Sequence, residues 1–448
     1  MSKNVREIAL EALLSVYKNQ SYSNLLVNNY IQKNDLSSAD SGLLTEIIYG
    51  TIQRDKLLDF YLEPFIKNQK KLEEWVYLLI KLSLYQMHFL DRIPPHAVLN
   101  EAVEIAKKRG HKGIASLVNG VLRNIQRNGL KSIDEIKDPI EKLSIETNHP
   151  EWLIEQWADE FGLEETRKIC EENILPPFQT ARVNTMKASR EEVLKMLEDE
   201  GVQANVGKLS PFAIEIQKGN VAYTNAFKEG YLSIQDESSM LVAQALGVTK
   251  GDDVLDTCAA PGGKSTHIAE LLDGSGSVTS LDLHKHKVKL IKEQANRLGL
   301  NNIETKALDA RNAPLEFEGR LFDKVLVDAP CSGLGVIRRK PDILLKKNAT
   351  DVTNLQKVQK SILDEASKLV KPGGSLVYST CTVGHEENID VINAFLDEHQ
   401  EYELDHSLVD HLPEKLNENK SVQNGYVQLL PHYFGTDGFF IARLRKKV

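Results

Sequence analysis

Two of the four cysteines carry a chemical signal by type and position. Cys331 lies in Asp328-Ala329-Pro330-Cys331-Ser332-Gly333 and Cys381 in Tyr378-Ser379-Thr380-Cys381-Thr382. Each follows a short apolar run of the kind that forms a buried parallel strand. A buried cysteine is usually a small, inert hydrophobe. Two thiols at strand ends, one of them near a carboxylate, point instead to nucleophilic chemistry. A free thiol with a pKa of about 8.5 is only a few per cent ionised at neutral pH, so such a site has to lower that value or supply a base.

A third segment, Asp256-Thr257-Cys258-Ala259-Ala260-Pro261-Gly262-Gly263-Lys264-Ser265-Thr266, follows the apolar Val254-Leu255 and opens a helix. Small residues and paired glycines let the backbone approach a ligand closely just before a helix begins. The segment is not GxGxxG, and it lacks the first glycine of a phosphate-cradling GxxxxGK[ST]. Asp282 ends the next apolar run, where nucleotide-binding folds set a carboxylate against a ribose hydroxyl pair. Asp309, in Lys306-Ala307-Leu308-Asp309-Ala310, suits either an adenine amino group or the cap of a turn.

These residues need a scaffold that brings strand ends together. From about residue 236 to 448 apolar runs (Val254–Asp256, Val278–Leu283, Phe322–Asp328, Ser375–Ser379) alternate with helical stretches at 264–272, 285–297, 350–369 and 386–398. That pattern predicts a doubly wound, Rossmann-like α/β domain with its ligands at the C-terminal strand ends, closed by strands at 425–430 and 438–445. Residues 1–140 show helical spacing throughout, as in Val98-Leu99-Ala102-Val103-Ala106, and predict an all-α bundle. Residues 141–235 predict a small α+β domain with strands at 181–184 and 212–216 around a helix at 191–200. The chain as a whole is therefore multidomain.

Composition narrows the class. The chain has 448 residues, 55 Lys+Arg against 64 Asp+Glu and a formal charge of −9. That balance excludes collagen-like and disordered chains, and the absence of a CxxC pair argues against a zinc ribbon. No segment reads as a signal peptide or a membrane span, which predicts a cytoplasmic protein with free thiols. The charge is uneven: residues 1–140 carry +3 and the remainder −12. Between 92 and 131 eight bases (Arg92, Lys107, Lys108, Arg109, Lys112, Arg123, Arg127, Lys131) face only Glu101 and Glu104. Such a stripe either grips phosphates or forms a solvated helix face.

DTCAAPGGKST, DAPCSG and YSTCT, in this order, resemble the RNA cytosine-5 methyltransferases of the RsmB/Sun/Fmu type. GYLSIQDESS (Gly230–Ser239) and Thr436-Asp437-Gly438-Phe439-Phe440 match the same pattern. DSGLLTEIIYG (Asp40–Gly50) and LVNGVLRN (Leu117–Asn124) resemble the RNA-binding domain of the antitermination factor NusB. A NusB-like domain fused to this catalytic domain is the architecture of the small-subunit (16S) ribosomal RNA enzymes of that family. The resemblance implies S-adenosylmethionine as methyl donor, S-adenosylhomocysteine as product, no metal, and a single-stranded or flipped cytosine as substrate. It implies that Cys381 attacks C6, that Asp328 holds the ring at N3, and that Cys331 assists release. Cys258, Ala259, Ala260, Pro261, Gly262, Gly263 and Lys264 would cradle the methionine portion, with Asp282 at the ribose, Asp309 near the adenine and Asp328 bordering the same site.

The assignment of the two thiols contains a trap. In DNA cytosine-5 methyltransferases the attacking cysteine follows a proline, as Cys331 does here, whereas the RNA-family pattern ranks Cys381 first. Lys107, Lys108, Arg109, Lys112, Arg123 and Arg127 are the expected RNA contacts of the helical domain, and Arg338 and Arg339 those after DAPCSG. Arg182 and Asn184 suit either RNA or a strand edge. A transfer-RNA cytosine-5 methyltransferase, a small-molecule methyltransferase and a non-catalytic RNA-binding regulator stand as alternatives; only the NusB-like domain favours ribosomal RNA. A monomer is expected.

Overall fold

The computed structural model describes residues 4–19, 23–67, 69–419 and 421–448. The chain forms two compact units. The first comprises Met1–Ile174 and the short segment Ile337–Lys346, and the second comprises Leu175–Val336 and Lys347–Val448.

The first unit is helical. The helix Glu74–Phe89 is buried without interruption from Val76 to Gln86, as befits a helix apolar on nearly all sides. Its one charged interior residue, Lys81, is paired with Asp55 and Asp59 at 2.5 and 2.6 Å. Around it pack the helices Val5–Asn19, Ser38–Gln53, Pro95–Arg109 and Lys112–Asn128. The helices Pro139–Thr147, Glu151–Phe161 and Leu163–Asn173 lie in the first compact unit, whereas the small α+β domain was expected from 141. The physical reason is a polar seam: Lys56 Nζ donates to Ser144 Oγ (2.6 Å) and to the His149 carbonyl (2.9 Å). Asn148 Nδ2 donates to the Ile52 carbonyl at 2.8 Å. No described helix is long and apolar enough to cross a membrane.

The second unit holds two sheets. Strands β1 (Gln179–Val183), β2 (Gln203–Val206), β3 (Ala213–Lys218) and β4 (Leu232–Ile234) form an antiparallel sheet in the order β2-β3-β1-β4. The helix Arg190–Asp199 packs against it, closed by the capping box of Ser189 and Glu192. The larger sheet comprises β5 (Asp253–Asp256), β6 (Ser277–Asp282), β7 (Ile303–Ala307), β8 (Phe322–Asp328), β9 (Val370–Thr380), β10 (Tyr402–Leu404), β11 (Val422–Gln423), β12 (Tyr426–Leu429) and β13 (Phe439–Lys446). Its order is β11-β12-β13-β9-β8-β5-β6-β7, with β10 on β13. The pairs from β9 to β7 are parallel, and β13 runs antiparallel to β9. Successive residues feed opposite cores: Val254, Leu326 and Val377 one face, Leu255, Val325, Val327 and Leu376 the other. Burial on both faces is why these strands read as unbroken apolar runs. The chain order turns back at β5, with β6 and β7 on one side and β8 and β9 on the other, and a ligand crevice belongs at that switch point.

Candidate active site

A cleft of about 380 Å³ opens at the ends of these strands, within the size range of small-ligand sites. Thr257, Cys258, Ala260, Asp282, Asp309, Asp328, Cys331 and Cys381 all line it. The expected cofactor loop, all three expected carboxylates and both thiols therefore share one cavity. Leu283, Pro330, Val358 and Ile362 add apolar surface, Lys287 and Arg311 add cationic groups, and His284 adds an imidazole, none of the three singled out from sequence.

The two sulfurs stand 3.4 Å apart. Cys331 is held well above its ordinary value, first by its hydrogen bond with Cys381 and then by burial. Burial pushes Cys258 and Cys170 up as well, so neither is poised for attack. Asp328 sits between two partners: Lys264 Nζ donates to one oxygen at 2.7 Å and Ser379 Oγ to the other at 2.8 Å. Lys264 was expected only in the cofactor loop, yet its ammonium reaches the Asp328 carboxylate. Burial would lower its pKa, but Asp328 and then Cys381 and Asp256 more than offset this, and Lys264 stays cationic. Ser379 was missed. It lies on β9 two residues before Cys381, which follows the last residue of that strand, Thr380.

The loop after β5 is built for close approach. Thr257 Oγ1 donates to the Leu326 carbonyl (2.9 Å) and the Ala259 amide to the Leu281 carbonyl (2.7 Å). Gly262 adopts φ +108°, and a Cβ there would lie 3.1 Å from Ile291 Cα. The Ala260–Pro261 peptide is cis. The loop reaches the cleft through Thr257, Cys258 and Ala260, whereas Ala259, Pro261, Gly262 and Gly263 shape the turn behind it. Beneath it Asp256 is fully buried and accepts from Ser265 Oγ at 2.5 Å. Burial drives its carboxyl up to about 7, the Ser265 hydrogen bond opposing and Asp328 reinforcing the rise. Asp309 serves both readings: it lines the cleft, and its side chain caps the turn Ala310–Asn312. Its Arg311 partner holds the carboxyl below its ordinary value.

Arg182 is a load on the scaffold and not an RNA contact. It is completely buried, pairs with Glu270 through Nη2 and Nε at 2.8 and 3.0 Å, and donates to the Gly263 carbonyl at 2.8 Å. Asn184 is buried too, donating to the Gly230 and Leu298 carbonyls. Arg338, expected to track RNA, is corrected likewise: it is 2 % exposed and paired with Glu172 at 2.9 Å. Arg339 is half-buried. On the first unit Lys107, Lys108, Arg109, Lys112, Arg123 and Arg127 are all exposed. Lys107 pairs with Glu104, Lys108 with Glu7, and Arg109 lies over the Trp75 ring.

The donor set fits an adenosyl sulfonium. A carboxylate at the end of β6 suits a ribose diol, apolar side chains suit a base, and a small-residue loop leaves room for a methionine tail.

Comparison with known proteins agrees with this anatomy. Residues 243–445 match the family described as 16S rRNA methyltransferase RsmB/F. Residues 3–127 match the NusB family, and 149–222 match the ferredoxin-like domain of RsmF/B-like methyltransferases. The chain is 56% identical over 444 residues to "Probable ribosomal RNA small subunit methyltransferase B" of Bacillus subtilis, covering 99% of both. The crystal structure of PH0851 superposes with a TM-score of 0.82 at 28% identity, covering 100% of both chains. NSun6 from Pyrococcus horikoshii, solved with SFG, gives a TM-score of 0.58 at 25% identity over 66% of this chain and 98% of its own. With its NusB domain, ferredoxin-like domain and mixed-sheet catalytic domain, the chain belongs to the RsmB/F family of 16S rRNA methyltransferases.

Proposed function

We propose that this protein methylates C5 of a cytosine in 16S ribosomal RNA, with a transient bond between Cys381 and C6 of the base. The observation that carries this reading is the joint placement of the 3.4 Å thiol pair and the Lys264–Asp328 ion pair in one cleft. S-adenosylmethionine would be held by the loop after β5, with Asp282 toward the ribose and Asp309 toward the adenine; when bound it supplies the methyl group.

The chain's own residues carry the remaining steps. Cytosine C5 is a poor nucleophile until a thiolate adds at C6 and makes it enamine-like. Cys381 makes that bond. The Lys264 ammonium favours its thiolate form, as a neighbouring cation does. Asp328, fixed on both oxygens, accepts from N3–H of the ring protonated there, so that thiolate addition at C6 leaves the base uncharged. After methyl transfer the C5 proton passes to solvent water, the C6–sulfur bond breaks with its electron pair going to Cys381, and the Cys331 thiol, 3.4 Å away, hydrogen-bonds the departing sulfur. The exposed bases of the helical unit supply phosphate contacts.

The thiol roles are tested with unmodified 16S rRNA transcribed in vitro. Cys331→Ala should accumulate a covalent protein–RNA adduct on denaturing gels, and Cys381→Ala should lose both adduct and methylation. Normal turnover by Cys381→Ala overturns the assignment. Bisulfite sequencing of RNA from a deletion strain tests the substrate. Loss of one ribosomal 5-methylcytosine is expected, and a change confined to transfer RNA overturns that part of the reading.

A further inference from the structure

We propose that the adjacent residues Glu387 and Asn388 form a two-sided clamp that sets the spacing of the two thiols. The proposal rests on the roles of Cys381 and Cys331 given above and adds the residues that hold them in register.

Both side chains are buried, Glu387 1 % and Asn388 0 % exposed. The Glu387 carboxylate accepts from the Ser332 amide (2.8 Å), from Ser332 Oγ and from Gln359 Nε2 (2.9 Å). The same Gln359 amide donates to the Pro330 carbonyl at 2.9 Å. The residues on either side of Cys331 are thus both tied to the Glu387–Gln359 pair. Asn388 does the same for the other thiol. Thr380 Oγ1 donates to Asn388 Oδ1 at 2.5 Å, and Asn388 Nδ2 donates to the Thr382 carbonyl at 3.1 Å. The residues on either side of Cys381 are therefore held by one side chain. A cross-tie joins the loops, Ser332 Oγ to Thr382 Oγ1 at 3.0 Å.

Because the two clamping residues are neighbours in the chain, one loop cannot shift without straining the hold on the other. The helix expected from Glu386 in fact begins at Ile389, after a single turn at His385–Glu387. That turn leaves both side chains at the start of the helix, aimed at the thiol loops. Besides Gln359 and Gln428, their side chains bond the residues flanking the cysteines, so Glu387 and Asn388 are positioning residues.

The division of labour makes a separable prediction. Asn388→Ala should slow formation of the Cys381 adduct on in vitro-transcribed 16S rRNA by about 10²-fold, the scale expected for a displacement of roughly 1 Å. Glu387→Ala should form the adduct normally but resolve it slowly, so that adduct accumulates as in Cys331→Ala. Glu387→Gln keeps an oxygen acceptor for Ser332 and Gln359 and should restore resolution. Asn388→Asp keeps the bond to Thr380 and loses the donation to Thr382, and should fall between wild type and Asn388→Ala.

An independent gauge needs no RNA: the rate at which diamide joins Cys331 to Cys381. The two thiols give up two protons and two electrons, and diamide is reduced to its hydrazine. Both alanine variants should slow this closure about tenfold or more, since thiol exchange requires close approach. Equal loss of adduct formation and resolution in the two variants, or an unchanged diamide rate, overturns the clamp. An adduct formed by Cys381→Ala would instead overturn the assignment of the nucleophile, and the diamide rate would still decide on the clamp.

Discussion

Replacing Arg182 with Met tests how the small antiparallel domain secures the cofactor loop. The substitution removes five hydrogen bonds: two to Glu270, and one each to the Gly263 carbonyl, Thr266 Oγ1 and Gln235. It leaves Glu270, only 2 % exposed at its side chain, without its directly bonded cation. Breaking one side of a buried pair costs about 3–5 kcal/mol, whereas replacing both members by apolar groups is often near neutral. Arg182→Met should therefore lose about 3–5 kcal/mol, and Arg182→Met/Glu270→Leu should recover at least about 2 kcal/mol of it. Tryptophan fluorescence would miss the effect, because Trp75, Trp152 and Trp157 all lie in the first unit. Hydrogen exchange at the amides of Gly263–Leu271 and β1 reads it directly. The pH dependence adds a check. Burial already holds the Glu270 carboxyl above its ordinary value against the pull of Arg182, and loss of Arg182 raises it further. A raised carboxyl value means stability present at low pH and lost as pH rises through the folded-state value. The deficit should be full at pH 8 and shrink toward pH 4. A loss below about 1 kcal/mol at pH 8, a deficit indifferent to pH, or a double variant no better than the single would refute the reasoning.

Asp256 obeys the same sign: its carboxyl stands at about 7 in the folded protein, so its contribution is full in the ordinary carboxylate range and lost by pH 8. Asp256→Asn should flatten the fall in stability between about pH 4 and 7, removing up to about 4 kcal/mol as an upper bound, measured by hydrogen exchange at β5. Gly262→Ala should weaken S-adenosylhomocysteine binding and cost about 1–3 kcal/mol, because φ is +108° and Ile291 Cα is 3.1 Å from the new Cβ. Gly263→Ala, whose nearest neighbour is the Gln235 amide at 3.8 Å, is the tolerated control in the same calorimetric titration. Arg338→Met should lower the stability of the first unit by about 1–3 kcal/mol in a tryptophan-detected urea titration, through loss of the Glu172 pair. An RNA contact would instead leave the transition in place and weaken RNA binding alone.

The parallel strands were legible because burial on two faces leaves a continuous apolar run, and the three chemical motifs sit directly at their ends. Strands β2 and β4, at four and three residues, are too short for alternation to stand out. The charged residues misled for a different reason. Sequence reading treats a basic residue as exposed, and that default serves Lys112 and Arg127. It fails for Arg182 and Arg338, whose carboxylate partners lie far off in the chain, Glu270 and Glu172. Burial of a charge is a property of a pair, and only the fold brings the pair together. The limit of the helical unit is obscured likewise, because Lys56 and Ser144, far apart in the chain, are joined only by the fold.

The geometry of the thiols follows from strand order more than from any single motif. In β9-β8-β5 the middle strand ends at Asp328, so only that carboxylate can reach both Lys264, beyond β5, and Ser379, on β9. Asp328 and Ser379 are paired in the parallel register. Counting on from that pair, Cys331 lies three residues further and Cys381 two, which brings two loops leaving adjacent strands side by side. A slip of one residue would turn Ser379 to the opposite face, since side chains alternate, and would shift Cys381 with it. Register therefore couples the carboxylate's support to the thiol's position. The β13 strand reinforces this register by pairing Phe440 with Thr380 and Ile441 with Ser379. The Gly438 amide also donates to the Gly335 carbonyl, and the Gly335 amide to the Cys381 carbonyl, at 2.8 and 2.9 Å. The C-terminal Thr436-Asp437-Gly438-Phe439-Phe440 segment thus acts on the chemistry without supplying a reacting group: it holds β9, and with it Cys381, in the one register that faces the cleft.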